Sequence, residues 1–363
     1  MARSKTDKQY WCCSILPIMA YTLNVGLRFG RGMDYNLYAI SYKALVDGEM
    51  KFSDFEPIFG GLVFVFGKLL GLEWQFLVVF MSFTLIFSCV CFLRHYKETS
   101  MIALPLFVTY VGLAENTMRW FLAFSFVLIG FSYYLDKKCP MKQRRWFFVI
   151  FCVLGFLTHY GFIIVELVFV LLLLCKNAFP LRYSIVIFIL CLLFASPMVL
   201  GRFADLITSL NILTGRYEHY ATNAEVLLTG DGEEIYQGLP FTLRIYCLFM
   251  MILGYKVVTI NKSLILPYNI ALVGAFSAPL LLQLEIGLRI NKVIYVFQFI
   301  ILAYIFFYIF TNKIRVPFIV KILSVLILFN MVRSEIGTPM KTSDDHLLYI
   351  WDRHDQDYLD TGL

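Results

Sequence analysis

The run 146-WFFVIFCVLGFLTHYGFIIVELVFVLLLLC-175 is thirty residues long and is bounded by Arg144 and Arg145 on one side and Lys176 on the other. A bilayer core about 30 Å thick takes about 20 helical residues to cross, so the run is too long for one span. Basic residues concentrate in the inner loops of membrane proteins, and here they mark both ends. The segment must therefore go out and come back. The bend is best placed at 158-THYG-161, which sets His159 and Tyr160 at or near the outer side and Glu166 about two turns down the returning helix.

Similar runs recur along the chain. With 60% hydrophobic and only 15% charged residues, it reads as an all-α, polytopic integral membrane protein. The aromatic share of 17% suits the Tyr and Trp belts at membrane surfaces first and sugar-stacking surfaces second. The nine cysteines lie mostly in apolar runs and form no CxxC pair, so they read as small core residues and neither as a metal site nor as a disulfide framework. MARSKTDKQY is basic and leads into an apolar stretch without a small-residue cleavage site, which predicts a retained first helix.

The basic segments 1–10, 94–100, 136–145, 176–182, 256–262 and 313–321 are expected inside. One segment conflicts with simple alternation: 58-IFGGLVFVFGKLLGL-72 has fifteen residues, four of them glycine, and carries Lys68. Treated as a crossing, it would push two basic loops outside. It is expected instead to be a re-entrant or interfacial helix that starts and ends on the outer side. About eleven crossings follow (range about 10–12), near 11–27, 74–93, 101–114, 118–135, 146–158, 161–175, 183–200, 241–256, 264–283, 293–311 and 316–332. The N-terminus is then inside and the C-terminus outside. The inner segments hold 17 of the 31 Lys and Arg but 3 of the 25 Asp and Glu, so the assignment is self-consistent. Residues 1–332 are expected to form a single transmembrane helical domain with external loops 28–73 and 201–240, followed by an acidic external tail over 333–363.

With that topology, Arg28, Arg31, Asp34, Glu56, Glu115, Arg119, His159, Glu166, Arg202, Arg216, Glu285 and Arg289 fall on one face. Several interrupt or edge apolar segments, where a charge is costly unless it is paired or lines a wet cavity. Two readings follow: a functional cavity open to the outside, or Arg–Glu pairing that holds the bundle. In 28-RFGRGMDYNLYAISYKALVDG-48, Tyr35, Tyr38, Tyr42 and Leu45 recur at helical spacing and predict a short interfacial helix after the first span. Asp34 is its candidate N-cap and Gly48 its stop. Beside Asp34, the forked guanidinium groups of Arg28 and Arg31 match phosphate oxygens, and a carboxylate held there is also a candidate general base.

RFGRGMDYNLY resembles the Arg-x-x-x-Gly-x-Asp-Tyr-x-x-Tyr entry motif of the EpsG family, exopolysaccharide and capsule polymerases that are Wzy-like in role. FEPIF (55–59), MRWFLAFSF (118–126), LTHYGFIIV (157–165) and GLRINKVIYVFQF (287–299) fit the same pattern in the expected order, over about 20–310. The family often shows Arg-Gln where this chain has Arg119-Trp120, and Glu-Pro-Gly where it has Glu56-Pro57-Ile58. The loop 201–242 is the least matched part, and acceptor choice is expected there. The family is also similar to the multi-spanning, lipid-sugar-dependent glycosyltransferases called GT-C, whose catalytic carboxylate follows the first helix, where Asp34 stands.

The resemblance implies polymerisation of undecaprenyl-diphosphate-linked oligosaccharide repeats into capsule, exopolysaccharide or O-antigen on the outer face of a bacterial inner membrane. Flippase and chain-length regulator proteins are the implied partners, and no cofactor, metal or nucleic acid is. No nucleotide sugar is needed, in agreement with the lack of a P-loop or dinucleotide fingerprint. Arg28, Arg31, Arg119, Arg289 and Arg216 would neutralise the leaving diphosphate, and Asp34 would deprotonate or orient the acceptor hydroxyl. His159 is the second candidate base, ranked lower because a His at a bend tends to satisfy a carbonyl or pair with a carboxylate such as Glu166. Glu56, Tyr35, Tyr38 and Tyr160 would line the sugar site, against the plainer reading of interface aromatics and a helix cap.

A flippase or transporter shares the hydropathy, but the halves show no self-similarity. An outer-face acyltransferase or glycan ligase is the nearer competitor. The tail over 333–363, with seven acidic and three basic residues, reads as a solvated or membrane-edge segment and not as a metal site.

Overall fold

The computed structural model describes residues 1, 2, 4, 6–29, 33–112, 117–195, 239–281 and 285–337. Their regular structure is entirely helical, without strands. The chain divides into two compact units, residues 1–167 with 317–363, and residues 168–316.

Unit 1 contains α1 (Asp7–Gly26), α2 (Met33–Asp47), α3 (Pro57–Val63), α4 (Trp74–Leu93), α5 (Ser100–Tyr110), α6 (Met118–Leu135) and α7 (Met141–Thr158). Within it, α1 packs on α4, α4 on α6 and α6 on α7. Two ends are defined by their hydrogen bonds. At one, Asp7 accepts from Lys97 Nζ at 2.7 Å and Lys138 Nζ at 2.9 Å, and Arg94 pairs with Asp136 at 2.9 Å. At the other, Gln75 at the start of α4 donates to the Gly26 and Arg28 carbonyls at the end of α1. Hence α1 and α7 run away from the basic end, and α4 and α6 run toward it. Between α4 and α6, the non-helical Tyr96 (φ −131°, ψ 39°) breaks the run and α5 returns. The three basic segments of this unit that were expected on one side, 1–10, 94–100 and 136–145, do lie together at one end.

The segment read as re-entrant is α3 continuing into a π-helical stretch, Phe64–Leu69, closed by Gly71 at φ +62°. Its start is tied through Glu56 to Arg119, and beyond its end the Leu72 carbonyl accepts from Tyr42 Oη at 2.6 Å. Both ties lie at the end of the unit opposite the basic loops. Thirteen helical residues reach only about 20 Å, short of a bilayer core. The expected face of α2 is also present: Tyr35, Tyr38, Tyr42 and Leu45 are all buried against Trp74, Leu77 and Phe59, and Gly48 ends the helix at φ +86°.

The thirty-residue run folds as a hairpin. α7 ends at Thr158, His159 is extended (φ −155°, ψ 108°), Tyr160–Phe162 make one tight turn, and α8 (Ile163–Leu173) starts back. α14 (Phe318–Gly337) returns to unit 1 and packs on α5.

Unit 2 contains the later part of α8, then α9 (Leu181–Phe194), α10 (Phe241–Ile260), α11 (Ile265–Leu281), α12 (Glu285–Val296) and α13 (Gln298–Phe310). α11 and α12 approach so closely that a Cβ on Gly274 would lie 2.9 Å from Tyr295 Cα. Asn291 fills that contact, donating to the Gly274 carbonyl and Ser277 Oγ, both at 2.8 Å.

Large apolar side chains such as Leu16, Met101, Leu193 and Phe318 are more than two-thirds exposed. So much open apolar surface suits hydrocarbon and not water. Among the described residues, five helical segments are long and apolar enough to cross a membrane: Trp74–Tyr110, Met118–Leu135, Phe241–Ile260, Lys262–Leu281 and Gly287–Phe310.

Candidate functional site

The site begins with the residue before α3. Glu56 has the extended backbone of a helix cap (φ −64°, ψ 145°), and Pro57 opens the helix, but its side chain makes no capping bond. The plainer reading of Glu56 as a helix cap therefore does not hold for its carboxylate, which instead reaches two distant partners. Oε2 accepts from Arg119 Nη1 at 2.8 Å, and Oε1 lies 3.0 Å from His159 Nδ1. Glu56 is buried, whereas Arg119 and His159 keep about a quarter and a fifth of their side chains exposed (26% and 19%). Burial pushes the Glu56 carboxyl up, but the His159 hydrogen bond and the Arg119 charge outweigh it and hold it down at about 2. The carboxylate is ionised and can only accept, so a neutral His159 donates from Nδ1 and carries its lone pair on Nε2.

Aromatic rings hold both partners. Arg119 lies over Tyr38 at 5.2 Å and Phe59 at 5.4 Å from the ring centroids, and its Nε donates to Tyr38 Oη at 3.4 Å. The next residue, Trp120, meets the His159 ring edge to face at 5.2 Å and the Phe162 ring at 5.0 Å. Glu56, Arg119, His159 and Tyr38 thus converge where α2, α3, α6 and the α7–α8 turn meet.

A family model matches residues 10–340 of the chain, nearly all of it, and its description is the EpsG family. The chain belongs to the EpsG family. No curated protein and no solved structure matches it. Membership suggests a Wzy-like, glycosyltransferase-like polymerase embedded in a membrane.

Asp34 is the second residue of α2, one position inside the helix and not the cap before it; its side chain lies outside the described residues. Arg31 and Arg216 lie outside them altogether, as do Glu115 and Arg202. Arg28 is 1% exposed; its Nη1 donates to the Val25 carbonyl at 2.9 Å, and its guanidinium stands 6.0 Å from the Tyr35 ring. Tyr35 is a core residue whose hydroxyl donates to Gln75 Oε1 at 2.7 Å. Tyr160 packs on Phe156 at 5.1 Å. Arg289 is half-buried on α12 of unit 2.

His159 does pair with a carboxylate, but with the distant Glu56 and not with Glu166, the example nearest in sequence. Its extended backbone turns the ring off the hairpin axis toward α3. Glu166 is buried on α8 against α7, with Oε1 2.6 Å from the place a Cβ on Gly155 would take.

Two residues were not picked out in the sequence. Gln75, polar in the first turn of an apolar helix, ties α1, α2 and α4 together, and that position is a readable signal. Trp120 was marked only as standing where the family often has Gln, which said nothing of a contact with His159. Among the described residues no three His, Cys, Asp or Glu side chains gather as for a metal.

Proposed function

We propose that the protein polymerises lipid-diphosphate-linked oligosaccharide repeat units on the outer face of a bacterial inner membrane, at the cluster around Glu56. The observation that carries this reading is the convergence of a carboxylate, an arginine and an imidazole at the end of unit 1 opposite its basic loops, in an EpsG-family chain.

In the reaction, the acceptor hydroxyl loses its proton to the enzyme. Its oxygen bonds to the anomeric carbon of the donor, the bond from that carbon to the lipid diphosphate breaks, and the diphosphate leaves with the electron pair. Of the two candidate bases, His159 has a neighbouring carboxylate to hold its ring and Nε2 left over; Asp34 stands at the start of α2, where the resemblance places it. Charge on the leaving diphosphate calls for cations, the role given to Arg119 with Arg31, Arg216 and Arg289. Arg28, given the same role, is buried with its guanidinium 6.0 Å from the Tyr35 ring. An undecaprenyl diphosphate is the donor lipid, and a flippase that supplies it and a chain-length regulator are the partners.

The test is polymer length in cells. A deletion strain complemented with wild type should regain a long glycan ladder, and complementation with His159→Gln or Asp34→Asn at equal expression should leave single repeats on lipid for whichever residue is the base. An unchanged ladder on deletion, or loss of acyl groups with chain length intact, overturns the polymerase.

A further inference from the structure

Arg119 and Trp120 are neighbours on α6, and each touches one of the two groups that meet at Glu56. Arg119 holds Oε2 of the carboxylate, and Trp120 lies against the imidazole whose Nδ1 reaches Oε1. The indole is itself buried and braced edge to face by Phe162, the last residue of the turn that carries His159. His159 sits at an extended position between helices, so its backbone gives the ring little restraint beyond the bonds to Gly155 and Phe162. One hydrogen bond leaves an imidazole free to swing about its donor axis. A large flat neighbour at 74° removes that freedom.

We propose that Trp120 is a positioning residue for the proposed polymerase: it sets the plane of the His159 ring, so that with Nδ1 held on Glu56 the acceptor's proton is taken by Nε2. This rests on the polymerase reading and adds to it the atom that accepts the proton and the residue that aims it. The indole touches neither substrate nor proton; it narrows the ring's orientations to the productive one, where a small misplacement is costly.

Two variants separate aim from folding. Trp120→Leu keeps apolar bulk without a ring, and Trp120→Phe keeps a ring. With purified protein and the lipid-linked glycan extracted from the deletion strain, Trp120→Leu should lose about 10- to 100-fold in kcat, part of what general-base catalysis supplies, with little change in KM. It should also flatten the acid limb of the pH–rate profile, and Trp120→Phe should recover most of the rate. A second readout needs no turnover: a protonated imidazole quenches a touching indole, so wild-type tryptophan emission should fall on acidification and the fall should vanish in both Trp120→Phe and His159→Gln. Wild type with no chain extension overturns the polymerase reading. An active wild type with Trp120→Leu unchanged in kcat and pH profile, or with the emission change intact in Trp120→Phe, overturns the role of Trp120 alone.

Discussion

At each end of unit 1 one carboxylate grips two basic side chains, yet the settings are opposite. Glu56 is 8% exposed by side chain, and its partners lie against Tyr38, Phe59 and Trp120; Asp7 is 42% exposed, and its partner Lys138 is 78% exposed. Both carboxyls are held below the usual carboxylate range, Glu56 against the opposing push of burial and Asp7 by its bonds to Lys97 and Lys138. Similar bonding therefore carries different consequences. A water-exposed pair gains little and is screened by salt, whereas a desolvated one is indispensable once formed, because removing a partner strands a charge. The Glu56 cluster has the character of a site, the Asp7 cluster that of a clasp joining α1 to two turns.

Four measurements bear on that contrast. The largest effect is expected from Glu56→Gln: losing the charge that orients His159 should cut chain extension by about 100-fold or more, and a normal ladder at normal expression would erase the distinction drawn here. Next, Glu56→Ala should lower stability by about 2–4 kcal/mol, read as a drop in Tm of the detergent-solubilised protein, because Arg119 loses its counter-charge in a largely buried place. Gly155→Ala should follow at about 1–3 kcal/mol, since its Cβ would meet Glu166 Oε1 at 2.6 Å and the Ala123 carbonyl at 3.2 Å, and it should disturb the adjacent His159 turn. Asp7→Asn should be smallest, with a Tm change well below that of Glu56→Ala, absent in high salt, and chain length unaltered.

Acid sharpens the same comparison. Glu56 has a folded value of about 2 against 4.5 unfolded, so its stabilisation is complete above about 4.5 and lost as pH falls toward about 2. The Tm difference between wild type and Glu56→Gln should therefore persist through neutral and mildly acidic pH and shrink only in strong acid. A difference already shrinking near neutral pH would mean that the pairing with Arg119 and His159 does not form.

Much was legible in the sequence where the signal is local. The length of 146–175 with basic flanks required a hairpin, and the bend lies at His159 as expected. The spacing of Tyr35, Tyr38, Tyr42 and Leu45 announced the buried face of α2, because one helical face repeats every three or four residues whatever it packs on. The short glycine-rich stretch ending at Gly71 could not reach across a bilayer, and the basic segments of unit 1 found one another. RFGRGMDYNLY and its companion motifs named the family before any geometry.

What the tertiary structure alone decided is who meets whom. His159 lies 103 positions from Glu56 and seven from Glu166, and sequence proximity favoured the wrong carboxylate. Arg28, a candidate phosphate ligand by sequence, is buried with its guanidinium 6.0 Å from the Tyr35 ring, while Trp120, marked only as standing where the family often has Gln, lies against the imidazole. Helical periodicity and membrane thickness act along a single segment and can be read from it. The partner of a buried charge is set by which helices pack and at what rotation, and those are properties of the assembled bundle.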